Sequence, residues 1–155
     1  MEQQTLDTRG YVSLLRDAVR EGRTVSMRIV GSSMSPFLAH DRDLITFAAP
    51  HRELRAGDMV FYQRDSGQFV MHRIHKVRPE GLYLVGDGQT EIEGPLSPDH
   101  VFALVGRVCR KGRWMQPGDF WWEFFAHVWT VFRPVRPVLT RCYSLFSRLR
   151  RQKRS

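Results

Sequence analysis

The sequence predicts a mainly β domain of the α+β class, with a helix in front of the strands and amphipathic helices behind them. Three observations predict this: short β-branched and aromatic segments recur between turn signals, an amphipathic segment precedes them, and two proline-separated apolar stripes follow. A chain of 155 residues suffices for one core, and no repeat or linker indicates a second domain. We therefore divide it into an N-terminal helix (1–23), a β domain (24–112) and a basic, tryptophan-rich tail (113–155).

The front helix is predicted from apolar residues that recur at helical spacing. These are Tyr11, Leu14, Leu15, Ala18 and Val19. Asp7 or Thr8 is available as the N-cap, and Gly22 is available as the stop signal. We expect this helix to pack on a sheet, and the segment before the first strand is too short for a DNA-binding helix-turn-helix.

Six strands are predicted between turn signals such as Asp65-Ser66-Gly67. They cover residues 24–30, 43–48, 58–64, 68–77, 81–85 and 101–110. In the fourth strand, the two-residue period places His72 on one face between Val70 and Ile74. Burial among apolar neighbours disfavours the imidazolium form, so we expect His72 to be a neutral ring that can accept a proton. The alternative is a core histidine without chemistry.

A serine-rich turn, Gly31-Ser32-Ser33-Met34-Ser35-Pro36-Phe37-Leu38, precedes this strand. A serine hydroxyl is a poor nucleophile until a neighbouring base takes its proton, and neutral histidine is well suited to that near pH 7. The turn and the strand together favour serine-peptidase chemistry. The alternative is a polar turn between two strands.

Further motifs follow the serine turn in a fixed order. They are Asp43-Leu44-Ile45-Thr46-Phe47, Gly57-Asp58-Met59-Val60, Val70-Met71-His72-Arg73-Ile74, Leu84-Val85-Gly86-Asp87-Gly88-Gln89 and Leu104-Val105-Gly106-Arg107-Val108. Over residues 24–110 this order resembles type I signal peptidases and their relatives, the self-cleaving SOS repressors. The histidine in the strand motif resembles the Ser/His branch of these peptidases.

The resemblance implies a role for several residues. Ser33 would be the nucleophile and His72 the general base, oriented by Asp87 or Glu93, between which the sequence does not decide. Asp87 is equally well explained as a turn residue. Gly31 stands where bacterial leader peptidases carry a hydroxyl that assists the oxyanion, which leaves the Ser33 backbone N–H as donor. A substrate added as a strand would contact Val30, Met34, Val70 and Met71.

The basic charge is concentrated in the tail. The formal net charge is +8, and residues 110–155 carry eleven basic and two acidic residues, while residues 1–109 are nearly neutral. All four tryptophans lie in the tail, where a helix is predicted over 120–132 and a second apolar stripe over 138–149. Neither segment is long enough to span a bilayer. We expect the tail to bind an anionic membrane surface, or alternatively to cover the β core or form a dimer contact.

Other function classes are less well supported. The two cysteines show no metal-binding spacing, so no metal or cofactor is predicted. Without a secretory signal, we expect a cytoplasmic protein, associated with the inner face of the membrane. The expected partner is a peptide or leader precursor. Nucleic acid is disfavoured because the predicted sheet lacks a basic face. A catalytically silent scaffold with the peptidase fold is the remaining alternative.

Overall fold

The computed structural model describes residues 3–139, 141–142 and 145. Helix α1 (Gln3–Arg20) is followed by an eight-stranded sheet and by a short helix α2 (Phe120–Glu123). The strands are β1 (Val25–Arg28), β2 (Leu44–Ala48), β3 (Met59–Gln63), β4 (Phe69–Arg78), β5 (Gly81–Val85), β6 (Glu93–Leu96), β7 (Val101–Arg110) and β8 (Arg113–Met115). The predicted fold class, mainly β with an N-terminal helix and short C-terminal helices, is confirmed.

The strands form one antiparallel sheet with the order β1-β2-β7-β3-β4-β5-β6, and β8 also pairs with β7. The six predicted strands are all present, and sequence reasoning missed β6 and β8. Strand β6 contains Gly94 and Pro95, which are unfavourable in a strand, and β8 has only three residues. Helix α1 begins at Gln3, ahead of the N-cap predicted at Asp7 or Thr8, because glutamine is a good helix former.

Both faces of the central strand β3 are buried. On β3, Met59 and Phe61 contribute to one apolar core, whereas Val60 and Tyr62 contribute to a second core on the opposite face. Helix α1 packs on the first of these cores through Val19, which is fully buried. Since both faces are covered, neighbouring residues of a central strand have different buried environments.

The first part of the tail packs against the β domain. The helix predicted over 120–132 is present over 120–128, where α2 continues directly into a π-helical turn (Phe124–Val128), and a separate 3-10 turn (Arg133–Val135) follows it. Trp122, Phe125 and Ala126 belong to the first core, where the Phe125 ring stacks on Phe37 with centroids 4.8 Å apart. Most of the second predicted stripe, over 138–149, lies outside the described residues. No helix in the described part of the chain has the length and apolar character needed to cross a membrane.

Candidate active site

The Ser33 turn is anchored by the apolar residues that follow it. Gly31 adopts a positive φ of 86°, a conformation that favours glycine, and its N–H donates to Nδ1 of His40 at 3.0 Å. Met34 and Phe37 are buried in the first core, whereas Ser33 stays half-buried. The Ser33 hydroxyl and backbone N–H make no hydrogen bond within the described residues, so both remain available to a ligand.

A second turn braces this loop from the other side. The Gly88 N–H donates to the carbonyl oxygen of Ser33 at 2.9 Å. A side chain at Gly86 would collide with that same oxygen, and a Cβ at Gly88 would lie 2.8 Å from the carbonyl oxygen of Ser35. These two glycines therefore allow the turn to approach the serine loop. This close approach was not predicted from the sequence, although the two glycines around Asp87 were a signal for it.

His72 lies in the middle of β4, opposite Val60 of β3, and only 4% of its surface is exposed. The prediction of a buried, neutral histidine is confirmed for burial, and burial lowers the pKa of His72 to about 4, although the Glu93 carboxylate acts in the opposite direction. Its Nδ1 lies 3.2 Å from the Tyr62 hydroxyl. Within the described residues, Nε2 has no hydrogen-bond partner.

Glu93 is connected to His72 through that tyrosine. The Tyr62 hydroxyl donates to Oε2 of Glu93 at 2.7 Å, and Arg64 donates to both carboxylate oxygens at 2.8 and 2.7 Å. The hydrogen bonds from Arg64 lower the pKa of Glu93, so this carboxylate is ionised near neutral pH. Burial and the bond to Glu93 raise the pKa of Tyr62, which keeps its hydroxyl protonated.

Asp87 belongs to a different network. Its two carboxylate oxygens accept from Nε and Nη2 of Arg73, each at 2.8 Å, and both side chains are fully buried. Arg73 also donates to the carbonyl oxygen of Gly57 at 2.9 Å. Asp87 makes no hydrogen bond to His72 within the described residues. Of the two acids between which the sequence did not decide, Glu93 is therefore the one whose hydrogen bonds extend to the histidine.

Ser33 and His72 border the same groove, which has a volume of about 310 Å³. The four residues expected to contact substrate also line it: Val30, Met34, Val70 and Met71. A second recess of about 720 Å³ shares His72 and Arg64 with the groove and is bordered by residues 88–93 and Pro137. The structure thus brings together the predicted nucleophile, the predicted base and an apolar channel, although Ser33 and His72 are not hydrogen-bonded to each other.

The wall of the groove includes an unpaired strand edge. Residues 69–72 of β4 pair with β3 on one side, whereas pairing with β5 begins only at Arg73. Within the described residues, no strand pairs with the other edge of 69–72. Such an edge presents backbone N–H and C=O groups to which an extended peptide can add as a further strand.

Residues of the tail hold the turn that braces Ser33. The Trp129 indole N–H donates to the carbonyl oxygen of Asp87 at 2.7 Å. Arg136 is 1% exposed and donates to the carbonyl oxygens of Gly86 and Gln89 at 2.9 and 2.7 Å. Sequence reasoning missed both contacts, because the alternative that the tail covers the β core did not name the residues that would do so. The tail therefore takes part in positioning the site.

No cluster of three or more potential metal ligands is present in the described part of the chain. The arrangement instead supplies a hydroxyl and a neutral imidazole that line one groove, together with a serine backbone N–H that has no hydrogen-bond partner in the described part of the chain. These groups are the parts required for acyl transfer through a covalent intermediate.

The β fold, with a serine turn and a histidine strand along one groove, defines a protein of the serine-peptidase-like class. Residues 1–109 match the model of the family described as Peptidase S24-like, and the chain belongs to that family. The comparison supports the wider superfamily that includes the SOS-repressor peptidases, and it does not single out signal peptidase I. No curated protein and no solved structure matched the chain significantly.

Proposed function

We propose that this protein is a serine endopeptidase that cleaves a peptide or leader precursor, with Ser33 as nucleophile and His72 as general base. The observation that carries the proposal is that a half-buried serine and a buried neutral histidine border one apolar groove. A base with a pKa well below 7 is neutral at physiological pH, so every molecule has an imidazole able to accept the serine proton.

In this reaction Ser33 Oγ attacks the scissile carbonyl carbon while its proton passes to Nε2 of His72. The resulting oxyanion accepts a hydrogen bond from the Ser33 backbone N–H. The imidazolium then gives its proton to the departing amine, and the acyl group remains on Ser33. Water, deprotonated by the same histidine, hydrolyses this ester. For the first step, Ser33 Oγ and Nε2 of His72 must come into hydrogen-bond contact, and such contacts often tighten when substrate binds.

The unpaired edge of residues 69–72 supports binding of the substrate as an added strand. Side chains of alternate substrate residues would then face Val30 and Met71 along the groove. The resemblance to type I signal peptidases implies small residues just before the scissile bond. An extended apolar segment that ends in alanine is therefore the substrate design to test first.

The test uses the p-nitrophenyl ester of a short apolar peptide that ends in alanine. Acylation releases p-nitrophenol, and we expect a burst of one equivalent together with an acyl group on Ser33 in the mass spectrum of the trapped enzyme. Ser33→Ala should give neither. Ser32→Ala, the adjacent exposed serine, should retain both. Absence of any acyl-enzyme would indicate a silent scaffold instead, whereas equal loss in the two variants would contradict the assignment of Ser33 as the nucleophile.

We also propose that the tail attaches the protein to an anionic membrane surface. Several large apolar side chains of the tail are between 39% and 75% exposed. We name this set the outer tail face, and its members are Phe120, Trp121, Val128, Val131, Phe132, Val135, Val138 and Leu139. Residues 110–155 carry eleven basic residues against two acidic ones. Exposed aromatic groups combined with a strong positive charge suit the interface of an anionic leaflet. The cytoplasmic location remains a prediction.

A further inference from the structure

A tyrosine hydroxyl, rather than a carboxylate, contacts the histidine ring. Tyr62 is fully buried, and its oxygen lies 3.2 Å from Nδ1 of His72 and 2.7 Å from Oε2 of Glu93. Arg64 holds the Glu93 carboxylate through two short hydrogen bonds. The four side chains form a continuous chain of hydrogen bonds from a partly exposed ion pair to the buried ring.

The direction of each hydrogen bond in this chain follows from the number of protons. An ionised carboxylate only accepts, so the single Tyr62 proton is committed to Glu93. The tyrosine oxygen can then interact with His72 only as an acceptor. A neutral imidazole carries one N–H. This N–H must be on Nδ1, because only then can the ring donate a hydrogen bond to the Tyr62 oxygen. The lone pair is therefore on Nε2, the nitrogen without a partner among the described residues.

We infer that Tyr62 is a positioning residue that selects the Nδ1–H tautomer of His72 and thereby keeps Nε2 ready to take the Ser33 proton. This inference rests on the proposed peptidase function. When Nε2 accepts that proton, Nδ1–H continues to donate to Tyr62 and Tyr62 continues to donate to Glu93. No proton moves along the chain, and the one taken from Ser33 is the one later given to the leaving amine.

The tyrosine also separates the carboxylate from the base. A carboxylate in direct contact with an imidazole favours the charged ring, whereas here the Glu93 carboxylate is connected to the ring only through Tyr62 and is paired with Arg64. Orientation of the ring is thereby supplied without strong electrostatic stabilisation of the imidazolium. Burial lowers the pKa of His72 to about 4 against the opposing effect of the Glu93 carboxylate, so the ring stays neutral at mildly acidic pH, where a directly paired histidine would already be protonated.

The first test measures the tautomer and needs no substrate. In the ¹⁵N NMR spectrum of the full-length protein at pH 7, we expect His72 to show a protonated Nδ1 and an unprotonated Nε2. Tyr62→Phe should increase the population of the Nε2–H form. Tyr83→Phe is the matched control, because Tyr83 also donates to a carboxylate, Glu80, at 2.9 Å, but on the exposed surface. An Nε2–H ring in the unmodified protein would overturn the inference.

The second test measures catalysis with the alanine ester. Tyr62→Phe should lower kcat by roughly 10- to 100-fold with little change in KM, a part of the 10²–10⁴-fold that a general base typically provides. Tyr83→Phe should leave both constants unchanged. Glu93 is half-buried, and Glu93→Gln offers an N–H to the tyrosine oxygen. The Tyr62 proton is then free to be donated to Nδ1 of His72, so this variant should also favour the Nε2–H tautomer. Unchanged tautomers in both Tyr62→Phe and Glu93→Gln, or a loss confined to KM, would show a purely structural tyrosine.

The two tests separate this inference from the peptidase proposal. A tautomer shift in Tyr62→Phe supports the hydrogen-bond chain even if no ester is hydrolysed, in which case the peptidase proposal alone fails. Hydrolysis that depends on Ser33 and His72 but is unaffected by Tyr62→Phe supports the peptidase and overturns the inference.

Discussion

His72 and Arg73 are neighbours on β4 and both side chains are buried, but they differ in charge and in hydrogen-bond partner. Arg73 keeps its charge and is matched by Asp87, with both side chains fully buried. His72 instead loses its charge, since burial lowers its pKa to about 4, and its nearest acid contacts it only through Tyr62. The strand alternation places the two residues in different environments, one suited to holding the fold and the other to accepting a proton.

The histidine side of this comparison should determine activity. His72→Asn is expected to lower hydrolysis of the alanine ester by about 10²–10⁴-fold, because it removes the general base. In the unmodified protein the rate should rise with pH through an apparent pKa of about 4, since only the neutral ring accepts the proton, and should be level from about pH 5 upward. A pH–rate profile of both proteins checks this.

His75→Asn is the matched control for that experiment, because His75 lies on the same strand but does not border the groove. It should retain both the rate and the pH profile. A retained rate in His72→Asn, or an equal loss in His75→Asn, would contradict the assignment of the base.

The arginine side of the comparison should determine stability. Asp87→Ala leaves a buried guanidinium without its partner, which typically costs about 3–5 kcal/mol of unfolding free energy. Glu93→Ala removes an acid from a pair whose side chains are 34% and 32% exposed, and should cost only about 1–2 kcal/mol. Urea unfolding monitored by circular dichroism compares the two. Equal losses would show that the difference in burial has no energetic consequence.

The tail also contains adjacent residues with different surroundings. Trp122 is 4% exposed and belongs to the core, whereas the adjacent Trp121 is 46% exposed and belongs to the outer tail face. We expect the protein to bind vesicles that contain the anionic lipid phosphatidylglycerol and not to bind vesicles of phosphatidylcholine alone. Its affinity for the anionic vesicles should fall as salt is added. Val135→Asp should weaken this binding at least about tenfold, because burial of one valine contributes about 1.5–3 kcal/mol.

Val77→Asp provides the control, because Val77 is 47% exposed and Val135 is 46% exposed, but Val77 lies at the end of β4. Its vesicle affinity should change only through the added charge. If both variants bind equally, or the unmodified protein does not bind anionic vesicles, the outer tail face has another role.

The sequence was most informative where local pattern and chemistry agree. The period of β4 predicted the buried face of His72, and the serine motif predicted the residue that shares its groove. Tyr62 was not recognised, since in Met59-Val60-Phe61-Tyr62 its ring fits an apolar strand and its hydroxyl acquires meaning only once β6 brings Glu93 beside it. The pairing of Asp87 with Arg73 was likewise hidden, because it joins residues whose side chains meet only in the folded sheet.

The contacts of Trp129 and Arg136 with the turn at residues 86–89 have a consequence for protein synthesis. Translation delivers the chain from its N-terminus, so β1 to β8 leave the ribosome before these two residues do. Until residue 136 has emerged, the turn behind Ser33 lacks three of the hydrogen bonds that hold it. Ser33 and His72 are thus both synthesised well before the residues that support them. A nascent chain that has already formed its sheet still lacks the contacts that hold the turn beside the groove.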